Sequence, residues 1–105
     1  TALSARSITD LANETLTLLG ETSQATQSDV IIDPNYMGND YAVATQAATN
    51  AAKWAAHRGA WVLDAVYSAK GFSGLLGLDA KNEFGSDENV VFIHTGGLPS
   101  IFANH

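Results

Sequence analysis

Residues 89–102 read NVVFIHTGGLPSIF, which is the most informative stretch of the chain. A continuous apolar run gives way to a hydroxyl and two glycines, and Pro99 then stands where a helix can begin. The order predicts a buried strand at 90–93, a tight turn and a short helix. In an open α/β sheet, ligands bind beyond the carboxyl ends of the strands, so this turn is the first place to expect a site.

The rest of the chain alternates helical patterns with short apolar segments. Helices are predicted at 7–19, 46–58 and 68–82, and strands at 29–33, 60–63 and 90–93. This order predicts an α/β fold: a three-layer, mostly parallel sheet segment with helices on both faces. Because three strands are fewer than most sheets contain, we expect the segment to be part of a larger sheet.

Small residues mark two of these helices. Alanines repeat along 46–58, for which Thr45 is the predicted N-cap, and glycines recur every third residue between 71 and 77. Both patterns predict that a neighbouring element approaches the helix backbone closely.

Composition narrows the class of protein. The 105 residues allow one domain, and a formal charge of −6 argues against nucleic acid or an anionic membrane as partner. The sequence has no cysteine, which excludes disulfides and thiolate metal sites and fits a reducing compartment. Its first residues lack the features of a secretion signal. We therefore expect a cytoplasmic or organelle-matrix protein that is not secreted.

The segment DAVYSAKG (residues 64–71) is the first candidate motif. It sets the phenol of Tyr67 and the hydroxyl of Ser68 at the predicted exit of a strand. A phenol there can act as an acid, a base or a hydrogen-bond donor to a ligand. The alternative is structural: Tyr67 packs at the edge of the core and Ser68 only caps the next helix.

The segment HTGG (residues 94–97) is the second. Two glycines let the backbone approach a ligand, and the helix that follows offers free N–H groups; the alternative is an ordinary strand-to-helix turn. No metal site is predicted, because His94 has no second ligand at a helical or hairpin spacing. The aromatic loop at 36–41 either walls a pocket or pins itself to the body of the protein.

Segments 63–75 and 91–103 resemble the C-terminal third of the pyridoxal-phosphate-dependent D-cysteine desulfhydrase and 1-aminocyclopropane-1-carboxylate deaminase family, of fold type II. In that family the first segment reads D-P-V-Y-[TSE]-G-K, and the second reads H-T-G-G or H-L-G-G. The upstream loop and the alanine-rich helix are also similar, so the resemblance covers most of residues 29–103.

The resemblance implies a role for five residues. Tyr67 matches the catalytic tyrosine beside the substrate, and Tyr41 matches an aromatic residue that lines the substrate pocket. Thr95 matches the position whose hydroxyl faces the pyridine nitrogen, and Ser68 and Gly96 complete the implied cofactor-binding set. Ser68 and Thr95 favour the desulfhydrase branch, because the deaminase branch has Glu after the tyrosine.

The implied identity is a segment of a larger enzyme. Residues 1–105 would form the C-terminal part of the large cofactor-binding domain of a lyase that converts D-cysteine to pyruvate, sulfide and ammonia. The implied partners are the missing N-terminal part, a small amino-acid substrate and a second copy in a homodimer of the complete enzyme. The Schiff-base lysine and the phosphate cradle lie upstream in the family, so the isolated chain is not expected to be active.

Two departures from the family pattern keep alternatives open. Ala65 stands where the family has proline, and Ala69 stands where it has glycine. A non-catalytic remnant, or a small α/β binding domain, is therefore the first alternative. Cysteate lyase or 1-aminocyclopropane-1-carboxylate deaminase activity is the second.

Overall fold

The computed structural model describes residues 4–38, 44–59 and 61–97. The chain divides into two compact units, Thr1–Asp33 and Pro34–His105. Tyr41 and the helix predicted after Gly97 lie outside the described residues. Within the described residues, every helix is too short or too polar to cross a membrane.

The first unit is built on helix α1, Ala5–Leu18, which begins two residues before the predicted start. The helix begins earlier because Ser4 is its N-cap: the backbone N–H of Ser7 donates to Ser4 Oγ at 3.1 Å. The side chain of Asn13 holds the segment that follows, because its Oδ1 accepts from the N–H of Ala25 at 2.6 Å and its amide donates to the carbonyl of Ala25.

The second unit contains helices α2, Gln46–Gly59, and α3, Ser68–Ala80, which pack against each other. The predicted cap of α2 is confirmed, since Thr45 Oγ1 accepts from the N–H of Ala48 at 3.0 Å. The buried face of α2 consists of Ala48, Ala51 and Ala55. Their small side chains allow the close helix approach that the sequence predicts.

Phe72 of α3 is the centre of the core in this unit. Its ring centroid lies 5.6 Å from that of Trp54 on α2, 5.8 Å from that of Trp61 and 5.1 Å from that of Phe92. Phe72 is buried, whereas both tryptophans are partly exposed. These ring contacts attach the segments around residues 61 and 92 to the helix pair.

The glycine face of α3 receives Tyr36, from the short 3₁₀ helix Pro34–Tyr36. A Cβ atom at Gly77 would overlap the Tyr36 hydroxyl, and one at Gly74 would lie 3.3 Å from the ring. The predicted close approach on this face is thus confirmed. The buried Lys70 also holds this loop, donating from Nζ to the carbonyl of Met37 at 2.8 Å. At Tyr36 and Met37 the aromatic loop is thus pinned to the helix, the second of the two predicted alternatives.

The predicted parallel sheet is wrong. No strand occurs in residues 4–38, 44–59 or 61–97; residues 27–29 form a 3₁₀ helix, and residues 61–64 and 90–97 are irregular. A strand exists only when a neighbour pairs with it, and pairing is not encoded in the local pattern. The burial predicted from the apolar runs is confirmed at Leu63, which is buried, and is wrong at Val91, which is exposed.

The packing of α2 against α3 can be tested with a matched pair of substitutions on one helix. Ala51→Leu should destabilise the protein by about 1–3 kcal/mol, because the buried face has no room for the added atoms. Ala47→Leu, on the exposed face, should change the free energy of unfolding by less than about 0.5 kcal/mol. Urea unfolding followed by tryptophan fluorescence measures both, and equal effects would contradict the described packing.

Candidate functional site

Asp64 organises the turn that carries the first motif. Its side chain is 1% exposed, and its Oδ2 accepts from the N–H groups of Val66 and Tyr67 at 2.9 and 3.0 Å. Its Oδ1 accepts from the N–H of Ser68 at 3.1 Å and from the Ser68 hydroxyl at 2.5 Å. In return, Ser68 Oγ accepts from the N–H of Asp64 at 2.8 Å.

These bonds correct the predicted cap of α3, for which the sequence suggested Ser68. The cap residue is Tyr67, which makes no side-chain cap hydrogen bond, and Ser68 is already the first helical residue. The carboxylate of Asp64 satisfies the leading N–H groups that a cap would otherwise serve. The sequence signal was an aspartate four residues before the helix start, because an aspartate side chain commonly bonds the backbone two residues further on.

The pKa of Asp64 lies below its ordinary value. Burial of the carboxylate acts to raise the pKa, but the hydrogen bonds donated by the Ser68 side chain and by the N–H groups of Tyr67, Ser68 and Val66 outweigh burial. The group is therefore an anion at neutral pH, held by aligned donors rather than poised to exchange protons. Its role is to fix geometry.

The second motif forms its own turn through His94. The Nδ1 atom accepts from the N–H of Gly96 at 3.1 Å, and Nε2 lies 2.8 Å from the carbonyl oxygen of Val62. A carbonyl can only accept, so both contacts are satisfied together by the neutral ring with its proton on Nε2. His94 thereby links the turn of the second motif to Val62, which lies just before the first motif.

The two glycines of this turn differ in their surroundings. Gly96 has φ of +111° and nothing within 4 Å of the position of a Cβ, so its backbone is open to a ligand. Gly97 has φ of +87°, and a Cβ there would overlap the Asp64 carboxylate. The close approach at Gly97 is therefore to a side chain of this protein.

Asp64 thus contacts both motif turns, since it bonds the backbone at 66–68 and lies against Gly97. Motifs that are about 30 residues apart in sequence are brought together by one buried carboxylate. Asp64 stood in the quoted motif without an assigned role, although an aspartate beside a tyrosine and a serine at a helix start was a usable signal.

The predicted site residues differ in their exposure to solvent. Tyr67 is 60% exposed, and Thr95 and Gly96 are also exposed, so these groups are accessible. Ser68 is buried with its hydroxyl bonded to Asp64. Tyr41 lies outside the described residues. The catalytic, cofactor-binding and substrate-binding roles of these residues remain predictions.

A large apolar cavity of about 480 Å³ lies next to these turns, and the sequence patterns did not predict it. Its walls are apolar side chains from the two irregular segments and from α3, with the His94 ring at one side. The main apolar lining residues are Trp61, Val62, Leu63, Phe72, Val90 and Phe92. A cavity of this lining suits apolar side chains better than a small charged molecule.

With this geometry in view, comparison with known proteins identifies the class of enzyme that the chain resembles: desulfhydrases. The D-cysteine desulfhydrases of Salmonella typhi, Salmonella newport (strain SL254) and Salmonella heidelberg (strain SL476) are each 32% identical to it over 88 residues, or 84% of this chain. The resemblance predicted from the two motifs is confirmed, and the match is consistent with a C-terminal piece of a protein of that family.

The match covers 27% of the length of each of these relatives, so the chain spans about a quarter of the curated proteins that it matches. No family model matches the chain.

The contact between Gly97 and Asp64 makes a prediction with an internal control. Both Gly96→Ala and Gly97→Ala place a side chain at positive φ, which strains the backbone. Only Gly97→Ala also drives a methyl group into the buried carboxylate, so it should cost about 1–3 kcal/mol more than Gly96→Ala. Chemical unfolding of the two variants measures the difference, and equal losses would contradict the contact.

The lowered pKa of Asp64 makes a second prediction. Stability that comes from a depressed pKa is present above 3.8 and is lost as the pH falls through the folded-state pKa. Asp64→Asn should therefore be less stable than the parent by about 1–3 kcal/mol at pH 7, and the gap should narrow below pH 3.8.

The exposed Asp79 on α3 provides the control. Asp79→Asn should change the free energy of unfolding by less than about 0.5 kcal/mol at pH 7. Urea titrations at pH 7 and pH 3 give the free energies of unfolding of the parent, Asp64→Asn and Asp79→Asn. A deficit for Asp64→Asn that stays constant between these two pH values would show that the carboxylate charge contributes nothing.

Proposed function

We propose that this chain is the C-terminal segment of a pyridoxal-phosphate-dependent lyase that eliminates the β-substituent of a small amino acid, with D-cysteine as the substrate class. In this proposal the products are pyruvate, sulfide and ammonia. Residues 1–105 supply part of the large cofactor-binding domain, and the remaining part of the protein supplies the Schiff-base lysine. The complete enzyme would be a homodimer.

The observation that carries the proposal is the link between the two motifs through Asp64. The backbone N–H of Tyr67 donates to Asp64, and Gly97, two residues after Thr95, lies against the same carboxylate. The side chains of Tyr67 and Thr95 are both exposed. A lyase of this type needs both groups at one reaction centre, and the shared contact with Asp64 supports that arrangement.

The described residues fit part of a cofactor site. The exposed hydroxyl of Thr95 and the open backbone at Gly96 would hold the cofactor's ring. Ser68 does not suit a direct contact, because its hydroxyl is buried and bonded to Asp64. Lys70 is buried and donates to the Met37 carbonyl, in keeping with a Schiff-base lysine supplied from elsewhere.

When bound, pyridoxal phosphate supplies an electron sink for the carbanion at the substrate's α-carbon. Thr95 would offer a neutral hydroxyl to the ring nitrogen and so would orient the ring without adding a charge. Tyr67 would donate its phenol proton to the departing sulfur, and its phenolate would then be reprotonated by water. Asp64 accepts a hydrogen bond from the backbone N–H of Tyr67, which fixes the position of the backbone that carries the phenol.

The proposal can be tested in a chimera that joins this chain to the part of the Salmonella typhi desulfhydrase preceding the matched stretch. We expect the chimera to form pyruvate and sulfide from D-cysteine. Tyr67→Phe should lower kcat by about 10²–10⁴-fold, because it removes the proton-carrying oxygen. Coupled pyruvate detection and a sulfide assay give the rates.

Tyr36→Phe is the matched control, because it removes a phenol oxygen that faces the glycines of α3 rather than the two turns. It should leave kcat within about twofold of the parent chimera. Full activity in a chimera that carries both Tyr67→Phe and Thr95→Ala would reject the assigned roles. A folded parent chimera that forms no pyruvate would favour the non-catalytic alternative.

A further inference from the structure

The position of Thr95 depends on the residues that flank it. Its side chain is exposed, and no hydrogen bond joins Thr95 itself to another residue of the part of the chain that the structure describes. An exposed hydroxyl that is to meet a ligand in one geometry needs a backbone that is held in place. For Thr95 that support comes through its two neighbours, His94 and Gly96.

The ring of His94 closes the turn over Thr95. The N–H of Gly96 donates to Nδ1 of the ring at 3.1 Å, so Thr95 lies inside the small loop that this bond closes. Gly96 has φ of +111°, and no atom lies within 4 Å of the position of a Cβ, so side-chain packing does not hold this conformation. The hydrogen bond to His94 is therefore what supports the backbone here.

The other side of the ring is attached to a fixed segment. Nε2 of His94 lies 2.8 Å from the carbonyl oxygen of Val62. Val62 is held from both sides, because the N–H of Trp61 donates to the Ala55 carbonyl of α2 at 3.3 Å and the N–H of Asp64 is bonded within the turn of the first motif. His94 thus connects a fixed part of the backbone to the turn of the second motif.

The two bonds require one form of the ring. The Val62 carbonyl only accepts, so Nε2 carries the proton and Nδ1 of the neutral ring is free to accept from Gly96. In the other neutral tautomer, or in the imidazolium, an N–H on Nδ1 would face the N–H of Gly96, and two donors repel each other. A histidine that only packed beside the apolar cavity would need no particular tautomer.

We propose that His94 is a positioning residue for the cofactor: through its bond to Gly96, the neutral ring holds the backbone of Thr95 so that the Thr95 hydroxyl is available to the cofactor's ring nitrogen. In this role His94 acts through Thr95 and not by contact with cofactor or substrate. The inference rests on the proposed function, in which Thr95 faces the cofactor. Asp64 lies against the end of the same turn at Gly97, so the turn is held on both sides of Thr95.

Three substitutions separate the two ring nitrogens. His94→Asn places an amide oxygen near the position of Nδ1, where it can accept from the N–H two residues further on, but the side chain is too short to reach Val62. His94→Gln can donate to Val62 from its amide nitrogen but leaves Gly96 without its acceptor. His94→Leu removes both bonds. His57→Leu is the matched control, because His57 is an exposed histidine on α2.

Nuclear magnetic resonance of the 105-residue chain tests the bonds without the cofactor. The ring ¹⁵N signals of His94 should show the proton on Nε2. The Gly96 amide should exchange about tenfold faster than in the parent when His94 is Leu or Gln, but within about threefold of the parent when it is Asn or in His57→Leu. A neutral ring with its proton on Nδ1, or a Gly96 amide that exchanges equally fast in the parent and in His94→Leu, would overturn the proposal.

The chimera with the Salmonella typhi part tests the effect on the cofactor. The dissociation constant of pyridoxal phosphate, read from its visible absorbance, should rise about tenfold in His94→Leu and change by less than about twofold in His57→Leu. Because His94 acts through Thr95, His94→Leu should add less than about twofold in a chimera that already carries Thr95→Ala. If the two losses multiply, His94 acts independently of Thr95 and the proposal is overturned.

Failure of this proposal and failure of the proposed function give different results. A chimera that binds the cofactor with the expected dependence on His94 but forms no pyruvate would keep the positioning role and reject the lyase activity. A chimera that forms pyruvate and binds the cofactor equally well as His94→Leu would keep the activity and overturn the positioning role. A folded chimera that does not bind pyridoxal phosphate would overturn both.

Discussion

Burying a carboxylate costs free energy unless its oxygens accept hydrogen bonds, and Asp64 accepts four of them from Val66, Tyr67 and Ser68. Everything around the candidate site depends on this arrangement. The donors fix the backbone from which α3 begins, and they do so without a cap side chain at the helix start. Since the same carboxylate lies against Gly97, the position of the second turn is set by the first.

That arrangement also changes how the polar residues of the motif are understood. Ser68 stabilises the carboxylate, so its hydroxyl serves the scaffold rather than a ligand. Tyr67 contributes its backbone to the same network while its side chain stays accessible. One residue thus combines a fixed main chain with a side chain that is 60% exposed.

The helices could be predicted from the sequence because their signals are local. Thr45 caps α2 within its first turn, and the buried alanines of α2 recur at helical spacing along one face. The strands could not, because a strand needs a partner that local patterning does not supply. The apolar runs at 61–63 and 90–93 have the composition of buried strands. In the part of the chain that the structure describes, they line a cavity and form no β-ladder.

The candidate site was only partly predictable for a related reason. Tyr67, Thr95 and Gly96 follow from motif and resemblance, and their accessibility agrees with a site. The role of Asp64 depends on contact with Gly97, which lies 33 positions further on and is invisible to any local pattern.

The ring cluster around Phe72 has a practical consequence for spectroscopy. Both tryptophans of the chain, Trp54 and Trp61, contact Phe72, and residues 1–33 contain no aromatic side chain at all. Intrinsic tryptophan emission therefore arises from the second unit, whereas α1 carries no aromatic side chain. Far-ultraviolet ellipticity sees both units, so a mismatch between the two optical signals would reveal that the units melt separately.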